Sequence, residues 1–390
     1  MENIEKFGAP SPQKFSEMPE YQLAGRYVKR FLEVRTEGRR AHSWDHELYV
    51  AHDALSTWKN YCEKQNEQMD DDKQFSVYIS SLLHDVIQPG DVRNKELRES
   101  MQAAWDLDVE GSEHSEGVKA FDFIVSELQE KAESEVKITD TQKVLIEKLV
   151  ANKERILNIY SEKENKDLSE LPWDERSVES KSLSLADLHG NVNPDMIVKF
   201  ALYIASENSK KDPEKRWSVG DAFQIFSGEG QPFLQEPPQD AKPKKQFNWR
   251  MYRDEEIVND WKDVAPETYA DFEDFLEHFN ALINEKSILD TTPKLQEICE
   301  KYGIGVYGMF DFWYKEGSAD HRATSQEVFE KYAQFTEGRN TTDIAEKEGL
   351  SEDDTQTLLS LEQNEMQLVS AIRKWQASLA EAEKALGQKI

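Results

Sequence analysis

Two cysteines, Cys62 and Cys299, in 390 residues leave no disulfide framework, and their scarcity fits a reducing compartment. No run of about 18 apolar residues occurs, so no transmembrane helix is expected. The opening stretch MENIEKFGAPSPQKF lacks the apolar core of a secretory signal. Together these absences predict a cytoplasmic chain without a membrane partner. Basic residues are scarce too: 48 Lys and Arg stand against 77 Asp and Glu, a formal net charge of −29. Such a surface repels phosphate backbones and disfavours a broad nucleic-acid interface, although a metal or an arginine could still draw in a small anion. Alternating apolar and polar residues over any length are missing, as is a fixed-period repeat. An all-α fold is the economical expectation.

What is present supports it. Nine tryptophans supply core material despite a hydrophobic content of only 38%. Apolar residues recur at threes and fours in YQLAGRYVKRFLEV, DHELYVAHDALSTWKNY and NPDMIVKFALYIASE. FSVYISSLLHDV is rich in β-branched residues, but its neighbours favour helix. HSEGVKAFDFIVSELQEK reads as helix, and Thr139-Asp140 opens another. Composition shifts between Ser218 and Gln246, where GEGQPFLQEPPQDAKPKKQ reads as a linker or excursion. The expected organisation is therefore a helical domain over 1–217, a linker over 218–248 and a helical C-terminal domain over 249–390. In the last helix Leu361, Leu368, Ile372, Trp375, Leu379, Ala382 and Leu386 form an apolar stripe that reads as core; these C-terminal helices also offer a surface for self-association. NTTDIAEKEGLSEDDTQTLLSL has the outline of a helix-turn-helix, but its second helix begins with Glu352, Asp353 and Asp354 and would repel DNA. The aromatic run FDFWY, Phe310 to Tyr314, reads as core.

Five of the eight histidines fall between His42 and His114. His46 opens the helix HELYVAHDAL, the doublet His84-Asp85 ends an apolar helix, and Asp187 sits inside the apolar SLSLADLHGN. A carboxylate in such a run is costly unless something pairs with it. One divalent metal held by His46, His84, Asp85 and Asp187 would account for all of these at once. Adjacent residues at a helix end can turn toward one ion, where mid-helix neighbours diverge.

This pattern resembles the HD superfamily of metal-dependent phosphohydrolases, in which a histidine, an HD doublet and a distant aspartate lie on separate helices of a bundle. The first histidine matches His46 in HSWDHELYVA, the doublet His84-Asp85 in SLLHD, and the aspartate Asp187 in LADLHGN. His84 lies 38 positions after His46, and Asp187 lies 102 after Asp85. The likeness covers about Gln22 to Ser206. It implies a divalent cofactor (Mn, Mg, Fe, Co or Zn) and water attack on a small phosphate ester or anhydride, a nucleotide among the candidates. Two-metal members carry a further histidine near the position of VANKERI, which has none, so one metal is expected.

The resemblance also assigns roles. Asp85 would bind metal and orient the attacking water. His114 would be a further ligand or a general acid facing the phosphate. Arg39, Arg40, Arg93, Lys95 and Arg98 stand near the ligands in sequence, and Arg39 and Arg93 are expected to meet phosphate. Glu99 and Ser100 fit an asparagine-glutamate-serine segment of some relatives, while Asp91 reads as an ordinary turn aspartate. His42 and His52 read as structural, His189 as pointing away from the site, and His278 and His321 as surface residues. Some related hydrolases place a catalytic glutamate shortly after the doublet. Gln88 stands there in this chain, which leaves a second expectation: a metal-bearing but catalytically silent sensor or scaffold. A third, an oxygenase with a di-iron site, conflicts with the missing histidine.

Overall fold

The computed structural model describes residues 25, 44–68, 70–84, 138–146, 148–149, 173–209, 211–216, 218–221, 254–320 and 324–386. Of these, 86% are helical and none lies in a strand, so the fold is all-α. The principal helices are α1 (Trp44–Gln65), α2 (Asp71–Leu83), α3 (Val178–Asn191), α4 (Asp195–Ser209), α5 (Glu255–Val264) and α6 (Pro266–Thr291). They continue with α7 (Pro293–Tyr302), α8 (Gly305–Ala319), α9 (Ser325–Phe335), α10 (Thr341–Glu348) and α11 (Glu352–Leu386). No helix among the described residues is long and apolar enough to cross a membrane.

Two compact units divide the chain. The first draws on Met1–Gly190, Lys242–Pro266 and Ser378–Ile390, and the second on Asn191–Ala241 and Glu267–Ala377. One division, between Ala241 and Lys242, falls inside the expected linker over 218–248. Another follows Gly190, because α4 packs on α8 and so belongs to the second unit. Gly317 permits that approach: a Cβ there would stand 2.8 Å from Leu202 Cδ2. Conversely, α5 belongs to the first unit. Its Asp260 accepts hydrogen bonds from Tyr61 Oη at 2.7 Å and Trp173 Nε1 at 2.8 Å, and Trp261 is fully buried.

In the first unit the short connection after Gln65 folds α2 back along α1 as a helical hairpin. Asn66, in the left-handed region at φ 53°, ends α1, and Asp70 caps α2 by accepting from the Lys73 amide. From Gln74 to His84 every residue of α2 is buried, the mark of a central helix. The buried Ser80 Oγ has no partner among the described residues, whereas two other buried serines, Ser76 and Ser81, donate to the carbonyls four residues back, Asp72 and Val77, at 2.8 Å. In α3, Ser182 and Ser184 do the same with Val178 and Ser180. Thr139 and Gln142 exchange hydrogen bonds as a capping box ahead of the helical residues from 140.

The second unit centres on α8, where Phe310 and Trp313 are fully buried and Tyr314 nearly so; the FDFWY run is core. Along α11, Leu361, Leu368, Ile372 and Trp375 in this unit and Ala382 and Leu386 in the first are buried as the stripe predicts, while Leu379 is half-buried. The helix-turn-helix outline resolves into α10, closed by Gly349 at φ 63°, and the acidic start of α11. His278, expected at the surface, is buried, because it shares the α6 face that carries Phe275, Phe279 and Leu282.

The α7–α8 elbow holds an ionic cluster. Arg339 Nη1 donates to the last carbonyls of α7, Tyr302 at 3.2 Å and Gly303 at 2.9 Å, while Nη2 lies 2.6 Å from both oxygens of Glu365. Glu365 in turn accepts from Gly305 N at 3.2 Å, and Glu285 accepts from Tyr307 N at 2.9 Å. The residue that caps α8, Ile304, has no side-chain acceptor, so two distant carboxylates serve the free amides instead. Gly305, at φ 82°, leaves them room: a Cβ there would meet Glu285 Oε2 at 2.8 Å.

Burial pushes the Glu285 carboxyl up to about 7, from 4.5, against hydrogen bonds from Tyr307, Asn364 and Val306 and with Glu365 adding to the rise. The folded state thus holds this proton more tightly than the unfolded chain. Its contribution to stability is complete below about pH 4.5 and is lost as pH rises to about 7, on the order of 3 kcal/mol in all. Glu285→Gln keeps the acceptor for Tyr307 N, and a flip of the Asn364 amide restores that contact. Urea titrations should show the variant lacking this part of the pH dependence and exceeding the parent protein in midpoint at pH 8.

Candidate metal centre

The hairpin explains how two histidines 38 positions apart come together. His46 stands in the first turn of α1 and His84 caps the last turn of α2, so folding one helix back on the other places both at one end. Their ring centroids are 5.3 Å apart. From α3, Asp187 enters the same space, with Oδ1 3.1 Å from His84 Nε2 and 3.6 Å from His46 Nε2. All three residues are buried, and their donor atoms lie within 4.8 Å of one another. Among the described residues this is the one group of three or more such side chains with that spacing.

The donor set fits a divalent cation. Ligands at about 2.1 Å from one ion stand about 3 to 4 Å apart. The two edges that end on Asp187 already have that length. Two imidazoles and one carboxylate suit Zn, Mn, Fe or Co better than Ca. Burial holds the His46 imidazole below its ordinary value, against the opposing pull of the nearby Asp187 carboxylate. A neutral imidazole is the form that coordinates a metal.

Gly190 is part of the construction. A Cβ on it would sit 2.8 Å from His46 Cε1 and 3.0 Å from Nδ1, so only glycine lets the end of α3 approach that ring. A second cross-tie supports the same pair of helices. His189 Nδ1 lies 3.2 Å from both Asp53 Oδ2 and Tyr49 Oη, which turns its ring away from the Asp187 cluster as expected. His52 is half-buried on another face of α1, and burial lowers its pKa. One further carboxylate was not anticipated: Glu47, fully buried, with Oε2 2.9 Å from His84 Nδ1. Its signal in sequence is the run Glu47, Val50, Ala51, Ala54 and Trp58, a charged group on the buried stripe of α1.

Of the other predicted site residues, Asp85, His114, Arg39 and Arg93 lie outside the described residues, as do Arg40, Gln88, Asp91, Lys95, Arg98, Glu99, Ser100, His42 and His321. The structure therefore brings together His46, His84 and Asp187 of the expected set. No protein-family model, curated protein or solved structure matches the chain.

Proposed function

We propose that the chain is a divalent-metal-dependent phosphohydrolase of the HD type, acting in the cytoplasm on a small phosphate ester or anhydride, with nucleotides the first class to test. The convergence of His46, His84 and Asp187, from three helices at the positions the motif requires, carries this reading. In it these three side chains hold the ion, and Asp85, next to His84 in sequence, completes the set and orients water. A bound divalent ion would supply an acidified water and positive charge for the phosphoryl oxygen. Arg39 and Arg93 supply fixed positive charge for a phosphate in an otherwise acidic chain, and His114 gives a proton to the leaving oxygen. A buried cluster keeps bulk water from competing for the ligand atoms.

The test uses the full chain, stripped with a chelator and reloaded with Mn²⁺. Phosphate release is followed across nucleoside mono-, di- and triphosphates and an aryl phosphate ester. The expected result is hydrolysis that requires the metal and is abolished in His84→Ala. Tight metal binding with no turnover across the panel would favour the silent sensor or scaffold instead, and Gln88 at the position of the relatives' glutamate is the feature that would accord with it.

A further inference from the structure

Glu47 is buried without the partners that burial normally demands. It follows His46 on α1, and neither carboxylate oxygen has a hydrogen-bond partner. No lysine or arginine among the described residues pairs with it. A carboxylate in that condition costs several kcal/mol unless a positive charge faces it. What it faces is the rear edge of the His84 ring.

That edge has a defined chemistry. His84 Nδ1 lies 2.5 Å from the Ser81 carbonyl and 2.9 Å from Glu47 Oε2. Both neighbours are acceptors, so Nδ1 carries the ring proton. The N–H is directed at the Ser81 carbonyl, and Glu47 stands beside it as a charge contact outside hydrogen-bond alignment. The opposite nitrogen, Nε2, faces Asp187 and is the atom left to coordinate. Ser81 alone fixes the tautomer. Glu47 adds a negative charge behind a ligand, which makes the imidazole a stronger donor.

We propose that Glu47 is a positioning residue for cation binding. Its Oε2 stands 2.9 Å behind Nδ1 of the ring whose Nε2 faces Asp187, where a carboxylate would support a ligand carrying a divalent ion. The inference rests on the metal reading above and goes beyond it by giving the site a built-in charge that favours the loaded state. Two opposite effects follow from one substitution. Glu47→Gln keeps the volume and removes the charge, so it should weaken metal binding without weakening the empty fold.

The experiment titrates the full, chelator-stripped chain with Co²⁺ at pH 8, read by its visible absorption, alongside urea unfolding of the metal-free form. Glu47→Gln should raise the Co²⁺ dissociation constant about 10- to 100-fold while leaving the metal-free urea midpoint unchanged or higher. Glu47→Asp keeps the charge with a shorter reach and should bind Co²⁺ more tightly than the glutamine variant. Parent-like Co²⁺ affinity in Glu47→Gln overturns the proposal. So does equal loss in both variants, and so does a glutamine variant that fails to fold without metal, because Glu47 would then be an ordinary structural residue. A parent chain that takes up no Co²⁺ is a different result: it removes the metal reading itself, and this inference with it.

Discussion

Asp187→Asn should weaken divalent-metal binding by about 100-fold or more, beyond the 10- to 100-fold typical of groups that only support a ligand, and with it abolish phosphate release. The reason lies in what the carboxylate does for its two neighbours. Asp187 is buried between Ala186 and Leu188 in α3, and its Oδ1 is the atom common to both short edges of the cluster. Asparagine keeps the size and an oxygen but loses the negative charge, the one charge directed into the cluster from α3. The amide NH₂ can still donate to an imidazole nitrogen, so the metal-free protein should stay folded. Calorimetric titration with Mn²⁺, with circular dichroism of the metal-free variant, separates lost coordination from lost structure. Affinity within a few-fold of the parent would show that Asp187 is a buried hydrogen-bonding partner of two histidines and nothing more.

The second large effect lies in the other unit. Arg339→Ala should cost about 3–5 kcal/mol of stability, the range expected when one member of a buried ion pair is removed. The guanidinium serves the carbonyl end of α7 while its Nη2 lies against Glu365, which serves the amide end of α8. Without it the Glu365 charge is left facing Glu285 across the start of α8, with Tyr332 Oη, 2.7 Å from its Oε1, and the Gly305 amide as its remaining donors among the described residues. Replacing the pair together, Arg339→Met with Glu365→Leu, removes that charge but strands the Gly305 amide, while Tyr332 Oη keeps the Gly303 carbonyl, 2.6 Å away, as its acceptor. The stability of this double variant should fall between the single variant and the parent, because one stranded neutral group costs about 1–3 kcal/mol, less than an unpaired buried charge. Urea unfolding monitored by tryptophan fluorescence measures all three. A loss under about 1 kcal/mol in Arg339→Ala would mean that the elbow is held by packing alone.

Much of this was legible in the residues. Apolar spacing marked the helices, and the acidic start of α11 argued against DNA before its packing was known. The pattern of a histidine followed by an HD doublet joins His46 and His84, and the hairpin that brings them together comes from the structure. Asp187 stood out as a charge within an apolar run. Other features depend on distance across helices, which spacing along one chain does not encode. The need for glycine at 190 arises from the His46 ring, more than 140 positions away. The buried side of His278 becomes plain only once Phe275, Phe279 and Leu282 are known to face the core. The boundary at Gly190 follows from α4 choosing α8 as its neighbour, which composition does not signal, whereas the division between Ala241 and Lys242 falls within the Pro-rich stretch. Glu47 was within reach of the periodicity argument, yet a glutamate beside a histidine at a helix start looks like ordinary first-turn chemistry.

The most direct test is a crystal structure of the protein grown with Mn²⁺, with data collected to give an anomalous difference map. The account predicts one strong peak within coordination distance of His46 Nε2, His84 Nε2 and a carboxylate oxygen of Asp187. A well-ordered cluster with no peak among these atoms, or a manganese bound elsewhere while the three side chains remain paired with one another, would contradict it.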